Sequence, residues 1–138
     1  MLPCARPWPY AFYPRLKTGS PQLTELFHII GRDAWADARR LGTYAPVSLT
    51  NEGFIHLSAD HQVVGTANRF YGAAAELLVL VVDEGSLGSA LVWEEGEPGV
   101  EFPHLYRPLE VTEVAEVRRL RRGEDGAWSA VVAGSDEA

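Results

Sequence analysis

The eight residues Glu76 to Asp83 (ELLVLVVD) restrict most what this chain can fold into. Six consecutive leucines and valines between acidic ends have no polar alternation, so both faces of the run need cover. Such a segment reads as a central strand with a layer packed on each side. A length of 138 residues allows one domain of that kind. A chain of this size buries about two-thirds of its unfolded surface, enough for a core without staples. The composition, 46% hydrophobic and 22% charged, is globular. The run Leu77 to Val82 is far short of the roughly 18 apolar residues that would span a bilayer. No secretory signal is expected, because Pro3, Pro7 and Pro9 interrupt the start where an apolar stretch would lie. Cys4 is the only cysteine, so no internal disulfide can form, and a reducing cytoplasm is the expected location.

The rest of the chain arranges itself around that strand. Residues 1–22 hold five of the nine prolines among Trp8, Tyr10, Phe12 and Tyr13 and show no helical period, so they read as an N-terminal arm. One domain is expected over 23–133, followed by a disordered tail over 134–138. Leu26 to Ile30 is a short buried strand closed by Gly31. Arg32-Asp33 opens a helix with Trp35, Ala38 and Leu41 on one face, stopped at Gly42. Tyr44 to Glu52 reads as loop, and Gly53 to Leu57 as a second short strand. Ser58 is a candidate N-cap, with Asp60 in the first turn, for a helix reaching Tyr71-Gly72 with Val63, Val64, Ala67 and Phe70 inward. Further strands are expected at Ala90–Glu94, Phe102–Tyr106, Glu113–Arg121 and Trp128–Val132, with a Gly/Pro/Glu loop between the first two. The order predicts an α+β fold: a split, curved sheet with two helices in the N-terminal half.

A net charge of −7 argues against bulk nucleic-acid binding, which needs a positive surface. Arg118, Arg119, Arg121 and Arg122 form a basic run, and Arg39 and Arg40 a pair. Their plain reading is a solvated strand end and helix face.

Three of the four histidines sit alike, in short apolar runs: Phe27-His28-Ile29, Ile55-His56-Leu57 and Pro103-His104-Leu105. A single buried histidine is usually a satisfied core residue. Three in separate strands point to a site, because buried imidazoles must find partners and clustered titratable groups mark functional clefts. His61, at a helix start, reads as surface. Three histidines can hold a catalytic zinc, but none of these pairs has the i, i+2 or i, i+4 spacing that seeds such a site, and no metal is expected. Glu94 and Glu95 leave a strand where a carboxylate could act as a general base or hold a ribose hydroxyl; solvated loop charges are the plain alternative. Ser58 could touch a ligand as well as cap its helix. No nucleophile elbow, P-loop or dinucleotide glycine motif occurs.

These residues carry a resemblance. Phe27-His28-Ile29, Glu52-Gly53-Phe54-Ile55-His56-Leu57-Ser58, Ala67-Asn68-Arg69-Phe70-Tyr71, Val92-Trp93-Glu94 and Phe102-Pro103-His104-Leu105-Tyr106 resemble, in order, the bacterial domain-of-unknown-function family DUF952. The stretch from His28 through Gly42 to His56-Leu57-Ser58, a helix, and Val79 to Asp83 is also similar to the core of RNA 2′-phosphotransferases, which have the ADP-ribosyltransferase-like fold. That similarity implies an NAD or ADP-ribose ligand. His28 would hold the ribose, His56 and Ser58 would line the nicotinamide or acceptor side, and His104 and Tyr106 would complete the wall. Glu94 would act on the 2′-hydroxyl, making Glu94 and His56 the catalytic candidates. The sequence departs from the phosphotransferases in two places. Ile29-Ile30 follow His28 where those enzymes have Gly-Thr, and the arginine that precedes their second motif has no clear match before Phe54, although a 2′-phosphate calls for fork-like arginine contacts.

The sequence therefore leads to a small-molecule ligand, with NAD as substrate and ADP-ribosyl- or phospho-transfer as the reaction. A non-catalytic binding module of the same fold is the first alternative. A metal-dependent hydrolase built on the three histidines is the second.

Overall fold

A computed structural model describes residues 24–134; the arm at 1–22 and most of the tail at 134–138 lie outside them. The chain runs β1 (Glu25–Ile30), α1 (Arg32–Leu41), β2 (Thr43–Tyr44), α2 (Val47–Asn51), β3 (Ile55–His56), α3 (Val63–Phe70), β4 (Leu78–Asp83), β5 (Leu91–Glu97), β6 (Val100–Leu105), β7 (Leu109–Glu110), β8 (Val114–Arg122) and β9 (Trp128–Val132). Every strand pairing is antiparallel. One sheet has the order β1-β4-β8-β9 and another β3-β6-β5, with β2 and β7 forming a small ribbon. A single bridge between Phe27 and Ser58 stitches the two larger sheets together. The result is a mixed α and β structure whose sheet curls into an antiparallel half-barrel.

The expected central strand lies at the centre of its sheet. β4 pairs with β1 on one side and β8 on the other. Its side chains alternate between two cores, which is why no polar residue interrupts it. Leu78, Leu80 and Val82 pack with Trp35 and Ala38 of α1, and with Leu105; Leu77, Val79 and Val81 pack with Val63 and Ala67 of α3, and with Trp128. α1 ends as expected: Gly42 takes the left-handed conformation (φ 88°) and its N–H donates to Ala38 O.

Four local expectations need correcting. The Tyr44–Glu52 loop holds β2 and a short helix, α2, so there are three helices rather than two among the described residues. The loop expected after Glu94 is largely strand, because β5 and β6 form one hairpin turning at Pro98-Gly99. Leu109–Glu110 adds a short strand, β7, pairing with Thr43–Tyr44. Ser58 caps no helix. Its N–H and carbonyl exchange 2.8 Å bonds with Phe27, which keeps the chain extended there. α3 starts only at Val63, after a turn in which the Gln62 side chain accepts the Ala59 N–H.

Candidate functional site

Alternation along two short strands builds the site. In β6 and the residue after it, Pro103 and Leu105 are buried while Phe102, His104 and Tyr106 take the other parity. In the segment through β3, Ile55 and Leu57 go into the core while Glu52, Phe54 and His56 share the opposite face. Antiparallel pairing sets His56 opposite His104, with ring centroids 5.4 Å apart. Phe54 binds both rings. It stacks on His104 at 3.9 Å and 15°, and meets the edge of His56 at 4.8 Å; such contacts contribute about 0.5–1.5 kcal/mol each beyond burial.

Each histidine has a different set of partners. His28 Nδ1–H donates to the His56 carbonyl at 2.7 Å, which leaves Nε2 as an acceptor for the Tyr44 hydroxyl at 2.8 Å. Burial lowers the His28 pKa to about 4, against the weaker upward pull of the His56 carbonyl, so the ring is neutral at pH 7. The same burial pushes Tyr44 up to about 12. His104, also buried, donates Nδ1–H to Glu94 Oε1 at 2.7 Å, and the Tyr106 hydroxyl donates to the same oxygen at 2.6 Å. Those two bonds, Tyr106 first, hold the Glu94 carboxyl below its ordinary range, while Tyr106 is raised by the same contact. Glu94 thus orients the His104 ring through Nδ1, and among the described residues Nε2 has no hydrogen-bond partner. His56, half exposed, donates Nε2–H to Glu52 Oε1 at 2.7 Å.

The three rings border one cavity of about 530 Å³, a size suited to a small ligand. Another part of its wall is a helical stripe of α3, with Gly65 and Arg69, and Thr66 and Phe70, spaced one turn apart. A Cβ added at Gly65 would meet nothing within 4 Å, so that part of the wall is open. Arg69 is paired with Glu97 on β5.

Of the residues expected from sequence, His28, His56, Ser58 and His104 reach this cavity. Glu94 and Tyr106 stand behind His104 and hold it from the rear. His61, read as surface, is exposed and also lines the rim. Sequence reasoning missed Glu52, Phe54, Tyr44 and the α3 stripe. The Glu52-x-Phe54-x-His56 alternation was the available signal for the first two; Tyr44 had none. No cluster of three or more metal-ligating side chains occurs among the described residues. His28 could join a metal only by giving up a bond at one of its two nitrogens.

The comparisons with known proteins identify the family. The family model described as "Protein of unknown function (DUF952)" matches residues 29–117, which include most of the residues around the cavity. The crystal structure of protein CC0527 from Caulobacter crescentus is 39% identical, covers 77% of this chain and 94% of that one, and superposes with a TM-score of 0.70. The solution structure of CC0527 is 39% identical over 75% of this chain and 90% of that one, with a TM-score of 0.66. No curated protein matches. The chain belongs to the DUF952 family.

Proposed function

We propose that this protein binds a small ribose-phosphate compound of the NAD or ADP-ribose type in the histidine-lined cavity, and that His104 is its proton-accepting group. The observation that carries this reading is the chain of bonds from Tyr106 to Glu94 to His104. An ionised carboxylate fixes one imidazole nitrogen and leaves the other, with a free lone pair, on a ligand-sized cavity. The ADP-ribosyltransferase-like fold is part of the same proposal: His28 and the His56-Leu57-Ser58 segment lie side by side, joined by the Phe27–Ser58 bridge. Within it the roles shift from those the resemblance implies. Glu94 positions His104 and does not touch the ligand, and His28, spent on two partners, braces the cavity floor. Ser58 and His56 face the ligand, which is NAD when the compound serves as a substrate.

A second reading, a binding module without chemistry, is favoured by one observation. His28 and Glu94, which the resemblance assigns to ribose and catalysis, are both occupied by protein partners. Calorimetry with NAD, ADP-ribose and adenosine monophosphate tests the ligand. Binding below millimolar concentration is expected, weakened roughly 3- to 100-fold by His104→Ala through loss of one hydrogen bond. If none of these compounds binds, the ligand reading fails. If they bind and no product forms, the module reading holds.

A further inference from the structure

His104 has a counterpart to which the reading above gives no proton transfer. His56, its cross-strand partner, also spends one nitrogen on a glutamate and borders the same cavity. Among the described residues the remaining nitrogens, Nε2 of His104 and Nδ1 of His56, have no hydrogen-bond partner. The rings differ in setting. His104 is buried under Phe54, while His56 is half exposed and can exchange protons with water. Two imidazoles whose ring centroids lie 5.4 Å apart, one with Nε2 and the other with Nδ1 uncommitted, can serve two oxygens of one tetrahedral centre at once.

That pairing selects a reaction. Nicotinamide leaves NAD as a neutral base and needs no acid. An alkoxide leaving phosphorus does need one. On the same cavity, α3 supplies what a phosphate would use: the Thr66 hydroxyl, which has no hydrogen-bond partner among the described residues, and the Arg69 guanidinium, shared with Glu97, beside the opening at Gly65.

We infer that His104 and His56 are a base and acid pair that cleaves a P–O bond to a ribose oxygen, with water as the nucleophile. This rests on the proposed ribose-phosphate ligand and adds His56 as a catalytic residue. Water attacks phosphorus and gives its proton to His104 Nε2. His56 enters this step as the imidazolium, with a proton on each nitrogen. The bond from phosphorus to the ribose oxygen breaks, and that oxygen keeps the electron pair and takes the Nδ1 proton of His56, which is left neutral with its Nε2–H on Glu52. One water is consumed, a diester becomes a monoester, and the rings exchange protons with solvent to reset. A ribose cyclic phosphate is the simplest substrate of this class.

The groups facing the pair are Glu94 and Glu97 from β5, Tyr106 beside β6, Glu52 ahead of β3, His28 from β1, and His61 and Arg69 on the α3 side. The full chain is incubated with the four ribonucleoside 2′,3′-cyclic phosphates and followed by phosphorus NMR. Ring opening to a monophosphate is expected, with a bell-shaped pH dependence of kcat. His104→Gln should remove the acid-side limb and His56→Gln the alkaline limb, each lowering kcat by about 10²- to 10⁴-fold. Because His56 is half exposed, its variant keeps the wild-type unfolding midpoint and separates chemistry from folding. Turnover within about 3-fold of wild type in His56→Gln overturns the pair. No ring opening by a wild-type chain that still binds ADP-ribose overturns it too and leaves the ligand reading standing. Failure to bind ADP-ribose and to open any ring removes both.

Discussion

His28 brings together burial, tautomer and pH at a single residue. Its Nδ1–H is fixed on a carbonyl and its Nε2 on a phenol, so the folded protein holds it neutral, with a pKa near 4. The unfolded chain protonates the same ring near 6.5. Between these values the unfolded state binds the extra proton, so stability is complete above about pH 6.5 and falls as the pH drops towards 4. The loss from this group is roughly 3 kcal/mol. Urea unfolding at pH 7 and pH 4 should therefore show wild type losing about that much more than His28→Gln, which cannot titrate there. Equal losses would mean that the ring is not held neutral. The motif Phe27-His28-Ile29 announced a buried histidine, but not the role of this one. Tyr44 and the His56 carbonyl, 16 and 28 residues away, take both of its ring nitrogens.

At the scale of elements, α3 and the β5–β6 hairpin both line the cavity and are joined by the Arg69–Glu97 ion pair. The hairpin register sets Glu94 opposite Phe102 and Val92 opposite His104, so the glutamate reaches its histidine along the diagonal. The period of α3 was legible in Val63 and Ala67, which are buried as expected, with Val64 partly buried, but Phe70, expected inward with them, is exposed on the outer stripe. Its outer stripe became a wall only because Ser58 holds the preceding chain extended against β1. Gly65 lies on that stripe with open space where a side chain would start. Gly65→Leu should fill the cavity mouth and abolish ADP-ribose binding while keeping or raising the unfolding midpoint, since leucine favours a helix interior over glycine by up to about 1 kcal/mol. Calorimetry paired with thermal unfolding checks both halves. Undiminished binding would place the ligand elsewhere.

Across the whole molecule, two cores share β4, one beneath α1 and one beneath α3, and the histidine site lies where the two curled sheets join. Among the described residues both cores are assembled between Leu26 and Val131, and the sequence of residues 1–22 has no periodic apolar face that would demand a core partner. A chain beginning at Leu23 is therefore expected to unfold within a few degrees of the full chain, the shift that about 1 kcal/mol produces in a domain of this size. Scanning calorimetry decides it. A marked fall in midpoint or solubility would mean that Trp8, Tyr10 and Phe12 cover part of the apolar surface that includes Leu41, Val47 and Phe70.

What the sequence determined by itself was the local pattern. The unbroken apolar run of β4, the face of α1 with its Gly42 stop, and the three strand-borne histidines follow from side-chain period and backbone preference, which act over a few residues. Only the tertiary structure decided which groups those histidines meet. Glu94 belongs to His104, Glu52 to His56, and Tyr44 to His28 because strand register and sheet curl set distances between segments far apart in the chain. Ser58 makes the same point. Its residue type favours a helix cap, yet two backbone bonds to Phe27 keep it extended, since a bridge between sheets satisfies more backbone than a single cap would.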